Sequence, residues 1–283
     1  MMGSPQKGKS VEQFGMPKIG IVTPSYNQGA FIRDTIESVL QQGYPNYEYW
    51  VIDGGSTDNT LDILKSYGER IHWISEKDRG QAHAINKGMQ KMSADIVAFI
   101  NSDDLYLPDV LSLVARYFSE HPEAMWVTGD YSIIDQAGNV IQSYVARYKK
   151  KIRKRPTFQR LSVANYIAQP STFWRSELIA EVGLFDESYR YCFDYDYWLR
   201  AVEKYPPHII GDRISLFRIH RDSKGGSEFS KQFQEEHEVL RRHTSNRLLL
   251  GLHRLHSTLI VFAYRMLKPY NKKAASDRRM CSI

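Results

Sequence analysis

Four times in its first 104 residues the chain runs through a short, largely apolar segment and stops abruptly on polar residues. Lys18–Thr23 ends at Pro24 to Gln28, Tyr47–Ile52 at Asp53 to Asp58, Arg70–Ser75 at Glu76 to Gln81, and Asp95–Ile100 at Asn101-Ser102-Asp103-Asp104. Segments of helical length separate them: Gly29–Gln42, with Ile32, Ile36, Val39 and Leu40 on one face, then Asn59–Tyr67 and Gly80–Met92. A further helix is expected from Pro108, which suits a first turn, to Ser119. Strands spaced by helices of this length predict an α/β fold, a mostly parallel sheet flanked by helices. The polar stops then share one edge of the sheet, where ligands of such sheets bind.

After residue 124 the rhythm changes. Ala124–Asp130 and Tyr131–Ile134 read as two short strands. Gln136-Ala137-Gly138-Asn139 reads as a turn before another strand, and Gln169–Arg175 as a strand. A helix is expected over Asp194–Lys204 and a C-terminal helical extension over Glu228–Leu267. The predicted layout is a disordered leader at 1–16, an α/β domain at 17–225, the helical extension at 226–268 and a basic tail at 269–283.

Hydrophobic content of 42% and charged content of 25% describe an ordinary globular chain. The leader has no apolar core of the signal-peptide kind, and no run of about 18 apolar residues predicts a membrane span. Two distant cysteines, Cys192 and Cys281, give no disulfide framework and point to a reducing compartment. Charge is unevenly divided. Residues 1–140 hold 11 Lys/Arg and 18 Asp/Glu, a net of −7, and residues 141–283 hold 27 and 14, a net of +13. Residues 147–160 carry Arg147, Lys149, Lys150, Lys151, Arg153, Lys154, Arg155 and Arg160 with no acid among them. The second half therefore suits an anionic partner. Nucleic acid is not expected, because no recognition motif accompanies the charge.

Two adjacent carboxylates at the end of a buried strand are the sharpest local puzzle. Each resists ionising beside the other, so something positive belongs next to Asp103-Asp104. Either aspartate suits a hard divalent cation that shares its shell with a substrate's phosphates. Taken alone, the motif reads first as a helix N-cap or a solvated loop; its convergence with three other polar loops reverses that in favour of the ion. Asp53 is placed to accept a hydrogen bond from a base or ribose, with Gly54 and Gly55 admitting a ligand close to the backbone. The alternative is a tight turn, with Ser56 or Thr57 capping the next helix. Tyr26 is either a stacking platform for a base or an exposed loop tyrosine. Asp194 and Asp196 stand two apart on a helix and face differently. One would face the crevice and take a proton from a hydroxyl; the other would be structural, paired with Arg200. His220 follows an apolar strand, as a metal or diphosphate contact or as a lone structural histidine.

The segments TPSYNQGAFIRDTIESVLQQGYPNYEYWVIDGGSTDNT, SEKDRGQAHAINKG, AFINSDDLYLP, QPSTFWRSELIAEVGLFDESYRYCFDYDYWLR and FRIH lie in this order within residues 17–225. Together they resemble the family 2 glycosyltransferases. The resemblance implies a GT-A (Rossmann-like) domain with a nucleotide-sugar-binding half at 17–130 and an acceptor-binding half at 131–225. It implies a nucleotide-sugar donor, a UDP-sugar first, with Mn2+ or Mg2+, and inverting transfer to an acceptor hydroxyl. That acceptor would be a saccharide or lipid-linked saccharide of bacterial-type cell-surface polysaccharide or glycolipid synthesis. Asp53 is thereby assigned to the base, Pro24, Ser25 and Tyr26 to the loop beside it, and Asp78 to the nucleotide, with Gln81, Asn86 and Lys87 of the same segment. The DXD motif reads Asn101-Ser102-Asp103-Asp104, with Asp104 as metal ligand, Asp103 facing the ribose and His220 near the metal or diphosphate. Asp194 matches the catalytic base. The glutamate that precedes the base in the family is Phe193 here, and the first motif aspartate is Asn101. These departures leave a second reading, a non-catalytic nucleotide- or carbohydrate-binding protein on the same fold. A glycosidase would need two carboxylates flanking a sugar and no nucleotide loops.

In the extension, Leu248, Leu252, Leu255, Leu259, Phe262 and Met266 recur at helical spacing among Arg247, His253, Arg254, Arg265 and Lys268. That pattern suits a helix on an anionic membrane surface, or one packed on the core or a second subunit. The expected location is cytoplasmic, peripheral on the inner face of the cell membrane.

Overall fold

A computed structural model of the chain describes residues 15–220 and 229–277. Residues 1–14 of the expected leader, 221–228 around the expected domain boundary and 278–283 of the expected tail lie outside the described residues. The four apolar runs are strands β1 (Ile19–Ser25), β2 (Tyr47–Asp53), β3 (His72–Ser75) and β4 (Ile96–Phe99), separated by α1 (Ile32–Leu40), α2 (Thr60–Ser66) and α3 (Gln81–Lys91). They pair in parallel in the order β3-β2-β1-β4. The chain builds outward from β1 to β3, then returns to the other side of β1. A crevice forms at such a reversal, outside the carboxyl ends of β1 and β4. Every residue of β1 and β4 is buried, as strands covered on both faces require. Gly88 lets α3 lie close to the sheet, since a Cβ there would fall 2.6 Å from Val22 Cγ1.

The second half comprises β5 (Leu105–Tyr106), α4 (Val110–Glu120), β6 (Trp126–Ile134), β7 (Val140–Ile141), α5 (Ser143–Arg153), α6 (Phe158–Val163), β8 (Thr172–Arg175), α7 (Ser176–Val182), α8 (Phe193–Lys204), β9 (His208–Arg218), α9 (Phe229–His243) and α10 (Arg247–Asp277). The sheet continues β4-β8-β6-β9-β5, with β7 beside β6. β8 runs antiparallel to β4 and β6, and β9 parallel to β6. The expected α/β sheet is thus parallel in its first half and mixed in its second.

Two expectations change. The two strands expected over 124–134 are one, β6. Gly129 lets β9 lie close: a Cβ there would fall 2.6 Å from Ile214 Cδ1, and the β6–β9 register shifts at this point. The basic run passes through the helices α5 and α6, and Arg147, Lys150, Lys151, Lys154, Arg155 and Arg160 are exposed along it. Arg153 is buried and Asp130 receives both Arg153 and Lys150. The extension breaks at residues 244–246, where Asn246 Oδ1 accepts from the amides of Leu248 and Leu249 and starts α10. α10 then passes Lys268, its expected end, and reaches Asp277, through an Asn-Lys-Lys-Ala-Ala run that includes good helix formers. No helix of the described residues is long and apolar enough to cross a membrane.

Candidate active site

The loops after β1 and β2 are knitted together. The amide of Asn27 donates to Ser56 Oγ at 2.7 Å, that of Gln28 to Thr60 Oγ1 at 3.0 Å and that of Gly29 to Asp58 Oδ2 at 2.9 Å. Asn27, at φ 52°, turns its own Oδ1 to accept from the Thr57 amide at 2.8 Å. Asp53 is wholly buried at the end of β2. It accepts from the amides of Gly55 and Ser56 and from the hydroxyls of Ser56 and Ser75. Four donors hold its two oxygens, so Asp53 shapes the loop from within. Pro24 and Ser25 finish β1 in register with Ile52 and Asp53. Tyr26 projects from this floor with 59% of its surface exposed. Asp78 lies against Gly54, where an added Cβ would come within 2.6 Å of Asp78 Oδ2.

The segment from Gln81 to Lys87 divides. Gln81 Nε2 donates to Asn101 Oδ1 at 2.6 Å and joins the end of β3 to the end of β4. Asn86, expected beside the nucleotide, is instead buried and exchanges hydrogen bonds with the backbone of Phe185 at 2.9 and 3.0 Å. Lys87 pairs with Glu76 at 2.7 Å. Both support loops rather than meeting the other predicted residues.

The two aspartates after β4 face different neighbours. Asp104 is fully buried; Oδ1 accepts from the Arg218 amide at 2.8 Å and Oδ2 from Asn101 Nδ2 at 3.1 Å. Burial first, and Asp103 second, push the Asp104 carboxyl well above the usual carboxylate range, against the pull of Arg218 and Asn101. The Arg218 guanidinium grips the same loop, donating to the Asp103 carbonyl at 2.9 Å, the Gln136 carbonyl at 2.9 Å and Asp34 Oδ2 at 3.1 Å. Arg218 is therefore a positive group beside the carboxylate pair, and sequence reasoning missed it. It stands in the FRIH segment two residues before His220, and nothing in its spacing announces that it folds back on residues 103–104. Asp103, with 17% of its side chain exposed, meets His220 instead: Oδ2 and Nε2 are 3.1 Å apart. Phe31 packs on the His220 ring at 4.4 Å between centroids.

α8 presents Asp194 in its first turn, where the helix dipole favours a carboxylate. Asp194 Oδ1 accepts from the Tyr195 amide at 2.8 Å. Phe193, in place of a glutamate, is buried against Phe99 and Phe185 at centroid distances of 6.1 and 5.6 Å. An apolar anchor thus sets the start of α8. Trp198 stacks on Trp126 at 5.3 Å and fixes its middle to β6. Asp196 turns away to Arg200 and His243, both at 2.8 Å, tying α8 to α9.

Asp194 lines a cavity of about 550 Å3 together with Gln81, Asn101, Lys149 and Glu236. Glu236, from α9, is buried. Burial raises its carboxyl to about 7, with Lys149 opposing the shift and Asp194 adding to it. Burial lowers the Lys149 ammonium, against Glu236 and Asp194. Nothing in the sequence signalled that either lies beside Asp194, because their helices come to it only in the folded chain.

A profile described as "Glycosyl transferase family 2" matches residues 20–182. The putative teichuronic acid biosynthesis glycosyltransferase TuaG of Bacillus subtilis is 38% identical over 133 residues, 46% of this chain and 52% of that protein. An uncharacterized glycosyltransferase of Rickettsia felis is 27% identical over 232 residues, 79% of this chain but only 37% of that protein. This chain thus spans well under two thirds of those relatives. Among solved structures, TarS 1-349 of S. aureus in complex with UDP-GlcNAc superposes with a TM-score of 0.63 at 18% identity, over 81% of this chain and 67% of that one. The mannosyltransferase PcManGT of Pyrobaculum calidifontis, in complex with GDP-Man and Mn2+, gives 0.63 at 16% identity over 92% and 84%. The family profile covers more than half of the chain and the fold agrees with it throughout: the protein belongs to glycosyl transferase family 2.

Proposed function

We propose that the protein transfers a sugar, with inversion, from a nucleoside-diphosphate donor to an acceptor hydroxyl. The observation that carries this reading is that the loop built on Asp53 and the Asp103–His220 pair follow β2 and β4 at the same edge of the parallel sheet, while Asp194 lines a cavity with Asn101 and Gln81. Tyr26, Pro24, Ser25, Asp53 and Asp78 form the nucleotide side. A UDP-sugar is the donor first tested, since TarS is solved with UDP-GlcNAc; PcManGT, with GDP-Man, makes a guanosine donor the second.

A carboxylate and an imidazole 3.1 Å apart suit Mn2+ or Mg2+ that completes its shell with diphosphate and water oxygens. Asp103 and His220 are the residues we assign to that ion. Asp104, the ligand expected from the motif, is enclosed and already bonded to Arg218 and Asn101, and we assign it to holding the loop. The bound cation would offset charge on the departing diphosphate. Asp194 takes the proton of the acceptor hydroxyl as its oxygen bonds to the anomeric carbon. The bond from that carbon to the diphosphate oxygen breaks on the opposite face, its electron pair leaving with the diphosphate.

Melting temperatures with UDP, GDP, dTDP and CMP, each with Mn2+, Mg2+ or chelator, test the donor site. A metal-dependent rise with one nucleotide, lost in Asp103→Asn, supports the reading. No rise with any nucleotide would sink it in favour of a protein that keeps the fold without transfer.

The same reading includes an anionic membrane surface as partner. Leu248, Leu252, Leu255, Leu259 and Phe262 of α10 are all exposed, on a helix that also bears Arg247 and Arg254.

A further inference from the structure

The cavity beside Asp194 has walls that sugar transfer alone does not require. They include the aliphatic Ile133, Ile152, Ile167, Ile219 and Ile260 beside aromatic rings such as Phe217. Aliphatic side chains offer a sugar ring neither hydrogen bonds nor a flat face. They gain only by covering hydrocarbon. The charged groups there besides Asp194, Lys149 and Glu236, are opposite in sign and each offsets the other, so no charged guest is called for. Apolar surface also continues outward. His256 and Ile260 line the cavity, while Leu252 and Leu259, four before and three after His256 and so its neighbours on the helix, are exposed.

We infer that the cavity takes the apolar part of the acceptor. The acceptor is an uncharged amphiphile whose reactive hydroxyl lies next to an alkyl or aryl group, and α5 and α10 supply the selectivity for that group. This rests on the transfer reading, because Asp194 marks where the hydroxyl sits.

The test is calorimetric titration of the full chain with methyl, butyl, hexyl and octyl β-D-glucopyranosides below micelle-forming concentrations, beside titration with nucleoside diphosphates. The glucosyl group serves only as a soluble carrier. Affinity should rise about fourfold per methylene buried, from ~0.8 kcal/mol each, and saturate at about one per chain. Ile152→Asn and Ile260→Asn should flatten this dependence; Val140→Ser, exposed on β7 and outside the cavity lining, should leave it. In the unaltered chain, the octyl glucoside should slow hydrogen exchange around Ile152 and Ile260, which serves if a variant fails to fold. Affinity independent of chain length overturns the inference, as does a dependence that survives both Asn substitutions. Nucleotide binding without chain-length dependence defeats the cavity alone; chain-length dependence without nucleotide binding defeats the transfer reading alone.

Discussion

The backbone amide of Arg218 donates to Asp104 Oδ1 at 2.8 Å across 114 residues of sequence, and the Arg218 guanidinium holds the neighbouring Asp103 carbonyl at 2.9 Å. One residue of β9 thus closes over the loop that ends β4. Asp104 faces inward to structure, and Asp103 faces outward to His220. Asp104→Ala should cost about 3 kcal/mol, since it strands the Arg218 amide and the Asn101 side chain without an acceptor. Asp103→Asn should cost about 1 kcal/mol yet abolish metal-dependent stabilisation by nucleotide. Thermal unfolding of both variants, with and without Mn2+ and nucleotide, separates the two roles. Equal losses of stability would refute the division.

Asp194 is held by the Tyr195 amide and by the apolar seat of Phe193. Asp194→Asn should leave melting temperature and nucleotide binding close to wild type while lowering the transfer rate by about 10²–10⁴-fold. Rates measured by release of nucleoside diphosphate in the presence of acceptor check this; retention of more than about a tenth of the rate would remove Asp194 from the base's role.

Gly54→Ala would place a methyl group 2.6 Å from Asp78 Oδ2. The Asp78 side chain can swing aside, so the stability cost should stay below about 1 kcal/mol. Nucleotide affinity should fall about tenfold or more, because the displaced carboxylate and the added methyl both crowd the ligand's approach. Titration with the preferred nucleotide checks it, and unchanged affinity would place Asp78 outside the nucleotide site.

Glu236 ionises near pH 7 in the folded chain against an ordinary 4.5. A raised folded-state value means that its stabilising contribution is complete below 4.5 and is lost as pH rises through about 7. The separation corresponds to ~3 kcal/mol at most. Stability should therefore decline over that window, and Glu236→Gln should be less steep and more stable than wild type at about pH 8. Denaturant unfolding from about pH 4.5 to pH 8 measures both slopes; parallel profiles would contradict the assignment.

Vesicles containing anionic lipid should sediment the protein, and Leu255→Asp with Leu259→Asp should weaken that binding about tenfold or more, since each substitution replaces exposed apolar surface with a repelled charge. Neutral vesicles should bind less. Binding that ignores both lipid charge and the substitutions would indicate another surface.

The sequence by itself determined the α/β class and the four strand-end loops. Those features rest on local periodicity and on polar stops that every parallel sheet gathers at one edge. Even the pairing of Asp196 with Arg200 was legible, because four residues on a helix bring side chains together. Only the tertiary structure decided which aspartate of the pair is enclosed, because that choice depends on Arg218 of a strand 114 residues away. It alone buried Arg153 of the basic run against Asp130 and brought Lys149 and Glu236 to Asp194. Contacts between distant helices leave no period or spacing in a single chain; they come into being when apolar faces dock and carry their charged neighbours with them.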